Sequence, residues 1–336
     1  VLAAIPRLGL FTSLNKINEQ YFQNKELVQL FNRYATYNGS SPYQTPGIMQ
    51  MINHLEHGKG TFLPVGGMHE IAQSLTVLAR EVGVHIHLNK NVEEVCSQGK
   101  VINALSIGGK KKIFDAIILN TDVHFAYEYL LDEKIKRPKK TLAQDPSTSA
   151  LIFYWGINRN FEQLDLHNIF FSKDYEEEFD QIANNDNFWV DPTIYINISS
   201  KVESGDAPEG CENWFVMINV PPNQGQDWEK ITNEARNAIL NRLSVELDVD
   251  LRQHIVTERN LNPIMIEDLT SSKGGALYGT SSNDPMAAFL RHPNKKLRGY
   301  SGLYFCGGSA HPGGGIPLCL LGGKLAANWC IEDIHE

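Results

Sequence analysis

Several absences bound this chain before any motif is read. No G-x-G-x-x-G occurs in its 336 residues, so the fingerprint that seats a dinucleotide pyrophosphate on a helix N-terminus is missing. The nearest approaches fail, since Gly58-x-Gly60 runs on to Leu63 and Gly313-x-Gly315 to Leu318. Cysteine is scarce: Cys96, Cys211, Cys306, Cys319 and Cys330 contain no C-x-x-C. That removes the zinc-knuckle and redox-disulfide readings and fits a reducing cytosol. No apolar run reaches the roughly 18 residues a membrane-spanning helix requires. Neither H-E-x-x-H nor G-x-S-x-G is present, which removes two hydrolase signatures. Positive charge is in deficit as well. The net charge of −9 argues against a nucleic-acid partner, which calls for a basic surface. The first residue is Val1 rather than methionine, so a further N-terminal portion is expected, carrying the dinucleotide-binding half.

What is present is concentrated near the C-terminus. Leu303 to Cys306 reads as a short buried strand, followed by a turn with five glycines in the nine residues Gly307–Gly315. A helix follows, opened by Pro317, whose missing N–H suits the first helical position. Glycines let backbone amides approach a bulky ligand that a Cβ would repel, and the following helix aims its positive end at that ligand. A tight strand–helix turn with no ligand is the plain alternative. His311 sits inside the turn, where it either contacts a ligand or caps the turn. It is the one candidate catalytic residue, and no metal site is expected. His85 with His87, and His54 with Glu56 and His57, lack a third ligand at metal spacing. Thr121-Asp122 follows a buried strand end, where α/β folds place ligands, and Asp122 reads alternatively as the N-cap of a helix over 123–131.

The periodicity predicts helices around 25–36 and 48–56. A helix after Gly66-Gly67 carries Met68, Ile71, Leu75, Leu78 and Val82 as one apolar stripe. Strands are expected over 84–88, 92–96 and 101–107, and a fully buried one from Phe114 to Asn120. Aromatic-rich strands follow at 150–155, 193–198 and 214–220. A long helix over 227–247 has Trp228, Ile231, Ala235, Ile239, Leu243 and Leu247 on one face. The aromatics Phe153, Tyr154, Trp155, Tyr195, Trp214 and Phe215 either line an apolar cavity or fill a core. The fold class is therefore α/β plus α+β, interleaved. Lys134, Lys136, Arg137, Lys139 and Lys140 crowd one loop, which is either a solvated loop or an anchor on an anionic membrane.

Cys306-Gly-Gly-Ser-Ala-His-Pro-Gly-Gly-Gly-Ile-Pro317 resembles the C-terminal flavin-contacting signature of the bacterial phytoene desaturase family. Phe62-Leu-Pro-Val-Gly-Gly-Met68 is similar to that family's second flavin-domain motif, and Phe114-Asp-Ala-Ile-Ile-Leu-Asn-Thr-Asp122 to its returning strand. Phe31–Tyr43, Ala150–Gly156, Gly210–Met217 and Leu277–Ser282 look like the 1-hydroxycarotenoid 3,4-desaturase subgroup. The resemblance implies an incomplete doubly wound FAD-binding domain, its N-terminal half absent, interleaved with a mixed-sheet substrate domain. Residues 1–60 and 123–295 would belong to the substrate domain, and 61–122 and 296–336 to the FAD domain. It further implies FAD, with Val92 at the adenine end and Gly307, Gly308, His311, Gly314, Gly315, Ile316 and Pro317 along the flavin. The implied substrate is a carotenoid, which would lose two hydrogens by hydride transfer. The implied location is cytoplasmic and peripheral to the membrane surface. A carotenoid isomerase or saturase, or a non-catalytic prenyl-lipid carrier, is the alternative. Two departures stand out: the pyrophosphate motif is absent, and Gly-Gly-Ser follows Cys306 where many flavoproteins carry an aspartate.

Overall fold

A computed structural model describes residues 9–184, 187–295, 297 and 299–335. Helices α1 (Leu14–Tyr21), α2 (Lys25–Asn32), α3 (Gln50–Lys59) and α4 (His69–Glu81) come first. Strands β1 (Glu94–Gln98), β2 (Val101–Ile107), β3 (Lys110–Ile113) and β4 (Ile117–Leu119) follow, then the short helices α5 (Val123–Phe125) and α6 (Lys139–Leu142). Next are β5 (Ser149–Ile157), β6 (His167–Phe170), α7 (Tyr175–Asn184), β7 (Ile194–Asn197), β8 (Glu212–Val220), α8 (Trp228–Glu246) and β9 (Ile255–Leu261). The chain closes with α9 (Pro263–Thr270), α10 (Ala287–Leu290), β10 (Leu303–Phe305) and α11 (Ile316–His335).

Two compact units result. One comprises His54–Leu88 and Ala150–Pro263. Its five-stranded sheet has the order β6-β7-β8-β5-β9, antiparallel at β6–β7, β7–β8 and β5–β9. The two-residue period of a strand decides which side chains meet. Phe153, Trp155, Ile194, Ile196, Trp214 and Val216 are fully buried against Ile231, Ala235, Ile239 and Leu243 of α8. Each such side chain stabilises the fold by about 1.5–3 kcal/mol relative to exposure. The intervening Tyr154, Phe215 and Tyr195 make a separate ring series, with centroids 5.6 Å apart for the first pair and 6.2 Å for the second. The six aromatics thus divide, three to the core and three outside it. α8 opens on Asp227, whose carboxylate accepts from the Lys230 amide at 3.1 Å.

In the same unit, α4 carries the expected apolar stripe, yet Leu75, Leu78 and Val82 are 46%, 54% and 71% exposed. The expected strand over 84–88 does not form. A strand needs a neighbour to take its backbone bonds, and no ladder partner for it occurs among the described residues.

The second unit comprises Val1–Asn53, Asn89–Ser149 and Ile264–Glu336. It holds an antiparallel β1-β2-β3 sheet and a two-stranded parallel ladder of β4 and β10. The strand expected from Phe114 to Asn120 shortens to Ile117–Leu119. Ile118 is 42% exposed, so the strand is not buried on both faces. Val92 lies two residues ahead of β1 and is outside any strand. The core gathers Val95, Ile102, Leu119, Val123, Tyr127, Leu303 and Phe305. Tyr127 stacks on Phe305 with centroids 6.1 Å apart. The Pro293 carbonyl accepts from Nδ1 of His292 at 2.8 Å, which leaves Nε2 to accept the Tyr127 hydroxyl at 3.0 Å. Burial pushes the His292 imidazole down to about 4, so this histidine is a neutral core residue.

Candidate functional site

β4 and β10 run parallel, with Ile117, Ile118 and Leu119 facing Leu303, Tyr304 and Phe305. Their carboxyl ends therefore open side by side, the place where open α/β sheets bind ligands. β4 leads into Asn120-Thr121-Asp122, and β10 into Cys306–Gly315 and then α11. The Cys306 amide donates to the Leu119 carbonyl at 2.9 Å and holds the two exits together.

Backbone geometry calls for glycine at most, though not all, positions of this turn. Gly307 has φ +94°, and a Cβ there would sit 2.6 Å from Oδ1 of Asn120. A Cβ on Gly314 would meet Tyr278 at 3.0 Å, and one on Gly308 would sit 3.6 Å from the Gly314 Cα. Gly315 has φ +94° with open space where its Cβ would be. The amides of Gly314, Gly315, Ile316 and Leu318 find no acceptor among the described residues. α11 begins at Ile316, one residue before Pro317, and both are exposed. A close-packed backbone with free amides and an open side fits a flat, electron-rich ring.

Side chains around the turn brace it. Asn294 Nδ2 donates to the Phe305 and His311 carbonyls at 3.0 and 2.7 Å, bridging both arms. Ser309 Oγ accepts from the Val123 amide at 2.9 Å. Asp122 caps α5, as expected, accepting from the His124 amide at 2.8 Å. Burial raises the Asp122 carboxyl above its usual range, against hydrogen bonds from His124, Phe125 and Ser309 that pull it down. Burial, and then the charge of Lys273, push His124 down to about 4. Buried Arg291 donates to the Gly308 and Thr280 carbonyls at 3.0 and 2.8 Å.

The structure brings Gly307, Gly308, Gly314, Gly315, Ile316 and Pro317 into one turn. His311 belongs to it through its backbone, donating to the His292 carbonyl at 2.8 Å, while its imidazole is exposed. Val92 is half-buried and lies outside the turn. No group of three metal-binding side chains occurs among the described residues, so the paired histidines are not assembled into a metal site there. The sequence reading missed Asn120, Tyr278, Arg291, Asn294 and Ser309. Asn120, Tyr278 and Ser309 lie inside the motifs that carry the family resemblance, and a lone arginine directly after the apolar Ala287-Ala-Phe-Leu290 was a signal for Arg291.

The sequence from residue 10 to 331 matches the family of flavin containing amine oxidoreductases. A 1-hydroxycarotenoid 3,4-desaturase of Flavobacterium sp. (strain P99-3) is 52% identical over 324 residues, 96% of this chain and 66% of that protein. A 4,4'-diapolycopene oxygenase of Methylomonas sp is 32% identical, over 99% of this chain and 68% of its own length. The chain thus spans about two thirds of these relatives. An oxidoreductase from Methanosarcina mazei has a similar fold, with a TM-score of 0.63 at 12% identity, covering 94% of this chain and 68% of that one.

Proposed function

Because the chain belongs to the flavin containing amine oxidoreductase family, we propose that the whole protein is an FAD-dependent carotenoid desaturase acting on a 1-hydroxycarotenoid at C3–C4. The 52% identity to a 1-hydroxycarotenoid 3,4-desaturase over 96% of the chain carries this reading. The turn Gly307–Gly315 and the first residues of α11 would hold the flavin, with Val92 toward the adenine. When bound, FAD supplies a two-electron acceptor that takes one of the two departing hydrogens as hydride, the other leaving as a proton.

This chain's own part is to bind, orient and exclude water. The glycines would bring backbone amides against the ring, and the positive end of α11 would face the negative charge that develops on reduction. Asn294 and Ser309 hold the arms of the turn in register, so the reacting carbon meets a fixed partner. A polyene offers almost no polar handle, so apolar walls and few charged groups suit it. The exposed Tyr154 with its ring neighbours Phe215 and Tyr195 offers an apolar surface on the sheet unit, although the open groove of about 660 Å³ beside it is also lined by Asp206, Glu258 and Arg259. The exposed Lys134, Lys136, Arg137, Lys139 and Lys140, beside the buried anchor Ile135, suit contact with an anionic membrane from which such a substrate is drawn. Among the described residues no helix is long and apolar enough to cross a membrane.

The test mixes the full gene product anaerobically with FAD and a 1-hydroxycarotenoid in liposomes. Flavin bleaching with a red-shifted product two hydrogens lighter is expected. An unchanged mass with altered geometry would replace desaturation by isomerisation, and a mass raised by two hydrogens by saturation. An unchanged carotenoid with no bleaching overturns the reading. Charge reversal of Lys136 and Lys139 is expected to weaken liposome binding, and unchanged binding removes the loop from the proposal.

A further inference from the structure

Arg291 stands just behind the glycine turn and is 7% exposed. Its Nη1 donates to the carbonyls of Gly308 at 3.0 Å and Tyr278 at 3.4 Å, and its Nη2 to that of Thr280 at 2.8 Å. A Cβ on Gly313 would lie 3.1 Å from both Cζ and Nε, so the guanidinium is packed flat against the turn. Every one of these acceptors is a neutral carbonyl. Among the described residues no carboxylate pairs with it. Cys319 on the first turn of α11 is a titratable neighbour, a thiol that burial pushes up, with Arg291 pulling it back. The Tyr278 phenol is pushed up by burial too. Both are neutral near pH 7.

Hydrogen bonds to carbonyls engage both Nη atoms but leave a full positive charge out of water. A buried charge without an opposite one is strongly unfavourable. The same turn carries the unpaired amides at the start of α11, which add partial positive charge. Positive charge therefore accumulates on a turn that is open at Gly315.

We propose that Arg291 is a fixed positive charge behind the glycine turn that, together with the free amides of the turn, attracts an anionic group of the bound cofactor. The inference rests on the FAD reading above. Two parts of FAD offer that chemistry, the diphosphate and the ring once it has taken up electrons, and the experiment separates them.

The full gene product is loaded with FAD as wild type, R291K, R291Q and C319D. FAD affinity, ADP affinity by competition, and midpoint potential are measured. If the diphosphate is the partner, R291Q weakens FAD and ADP binding together by about tenfold or more. If the reduced ring is the partner, ADP affinity holds and the potential falls by about 30 mV, a tenfold shift for a two-electron couple. R291K keeps the charge and stays near wild type in either case. C319D sets a carboxylate against an intact Arg291, so it reproduces the loss without removing the brace, and it decides the matter should R291Q not fold. The proposal is overturned if C319D and R291Q leave affinity and potential unchanged. It is also overturned if R291K loses as much as R291Q, which would mark a brace rather than a charge. Wild type that binds no FAD would instead sink the FAD reading itself.

Discussion

The two longest helices are alike in length, 19 residues for α8 and 20 for α11, and opposite in what they bury. α8 buries Trp228, Ile231, Thr232, Ala235, Ile239, Leu240 and Leu243. α11 buries only Gly322 and Ala326, while Leu318, Leu320 and Leu321 are 37%, 53% and 46% exposed. The first holds a sheet with bulk. The second docks through small residues, so its backbone comes close to the turn it follows. A Cβ on Gly322 would lie 3.3 Å from the His311 carbonyl. One helix serves stability, and the other delivers its end to a site.

That contrast can be broken at graded points. The largest effect is expected in α8, where Leu243 is fully buried. Leu243→Ala should lower unfolding free energy by about 3 kcal/mol, the usual loss for a cavity of that kind, read by denaturant titration. A loss below 1 kcal/mol would mean that the sheet and α8 do not share the core described.

Next comes acid sensitivity of the turn unit. His292 is 3% exposed and its imidazole is held down at about 4 from an ordinary 6.5. The unfolded chain takes up the proton first, so the contribution is complete above pH 6.5 and is lost as pH falls toward 4. The linkage amounts to roughly 3 kcal/mol, and His124 shifts in the same direction. The stability of wild type should drop over this window, and H292Q should show a flatter profile. Identical slopes would contradict the neutral, buried histidine.

A smaller change tests the turn directly. Gly314→Ala would press a methyl to 3.0 Å from the Tyr278 backbone, an overpacking of about 1–3 kcal/mol. FAD affinity of the full gene product is expected to fall by tenfold or more with only a small change in Tm, and unaltered affinity would separate the turn from the flavin. The smallest effect is expected on the outer side of α11. Leu320→Gln in this chain should change stability by no more than about 0.5 kcal/mol. A loss of several kcal/mol would show that this side chain is covered.

Much of this was legible in advance, for identifiable reasons. The α8 stripe, the N-cap at Asp122 and the strand–turn–helix at 303–335 are local patterns, and local patterns fix local structure. The same periodicity promised a core face on α4, where Leu78 is 54% exposed. Periodicity reports that a face is apolar and not whether anything packs on it. The strand expected over 84–88 failed for the matching reason, because a strand is completed only by its neighbour. Asn294 and Arg291 escaped notice, and Ser309 was read only as a departure from an aspartate, because all three act on backbone that is distant in sequence.

By itself, the sequence determined the helices and the strand–turn–helix near the C-terminus, that glycine had to occupy the turn after Phe305, and which family the chain belongs to. These follow from steric rules at each residue and from the order of motifs. Only the tertiary structure decided that β4 and β10 lie parallel and open on one spot. It alone decided that three of the six sheet aromatics leave the core, and that a guanidinium is buried behind the turn with no counter-charge among the described residues. Those outcomes depend on which distant groups are brought within a few ångströms, and burial, pairing and charge have no value until that is fixed.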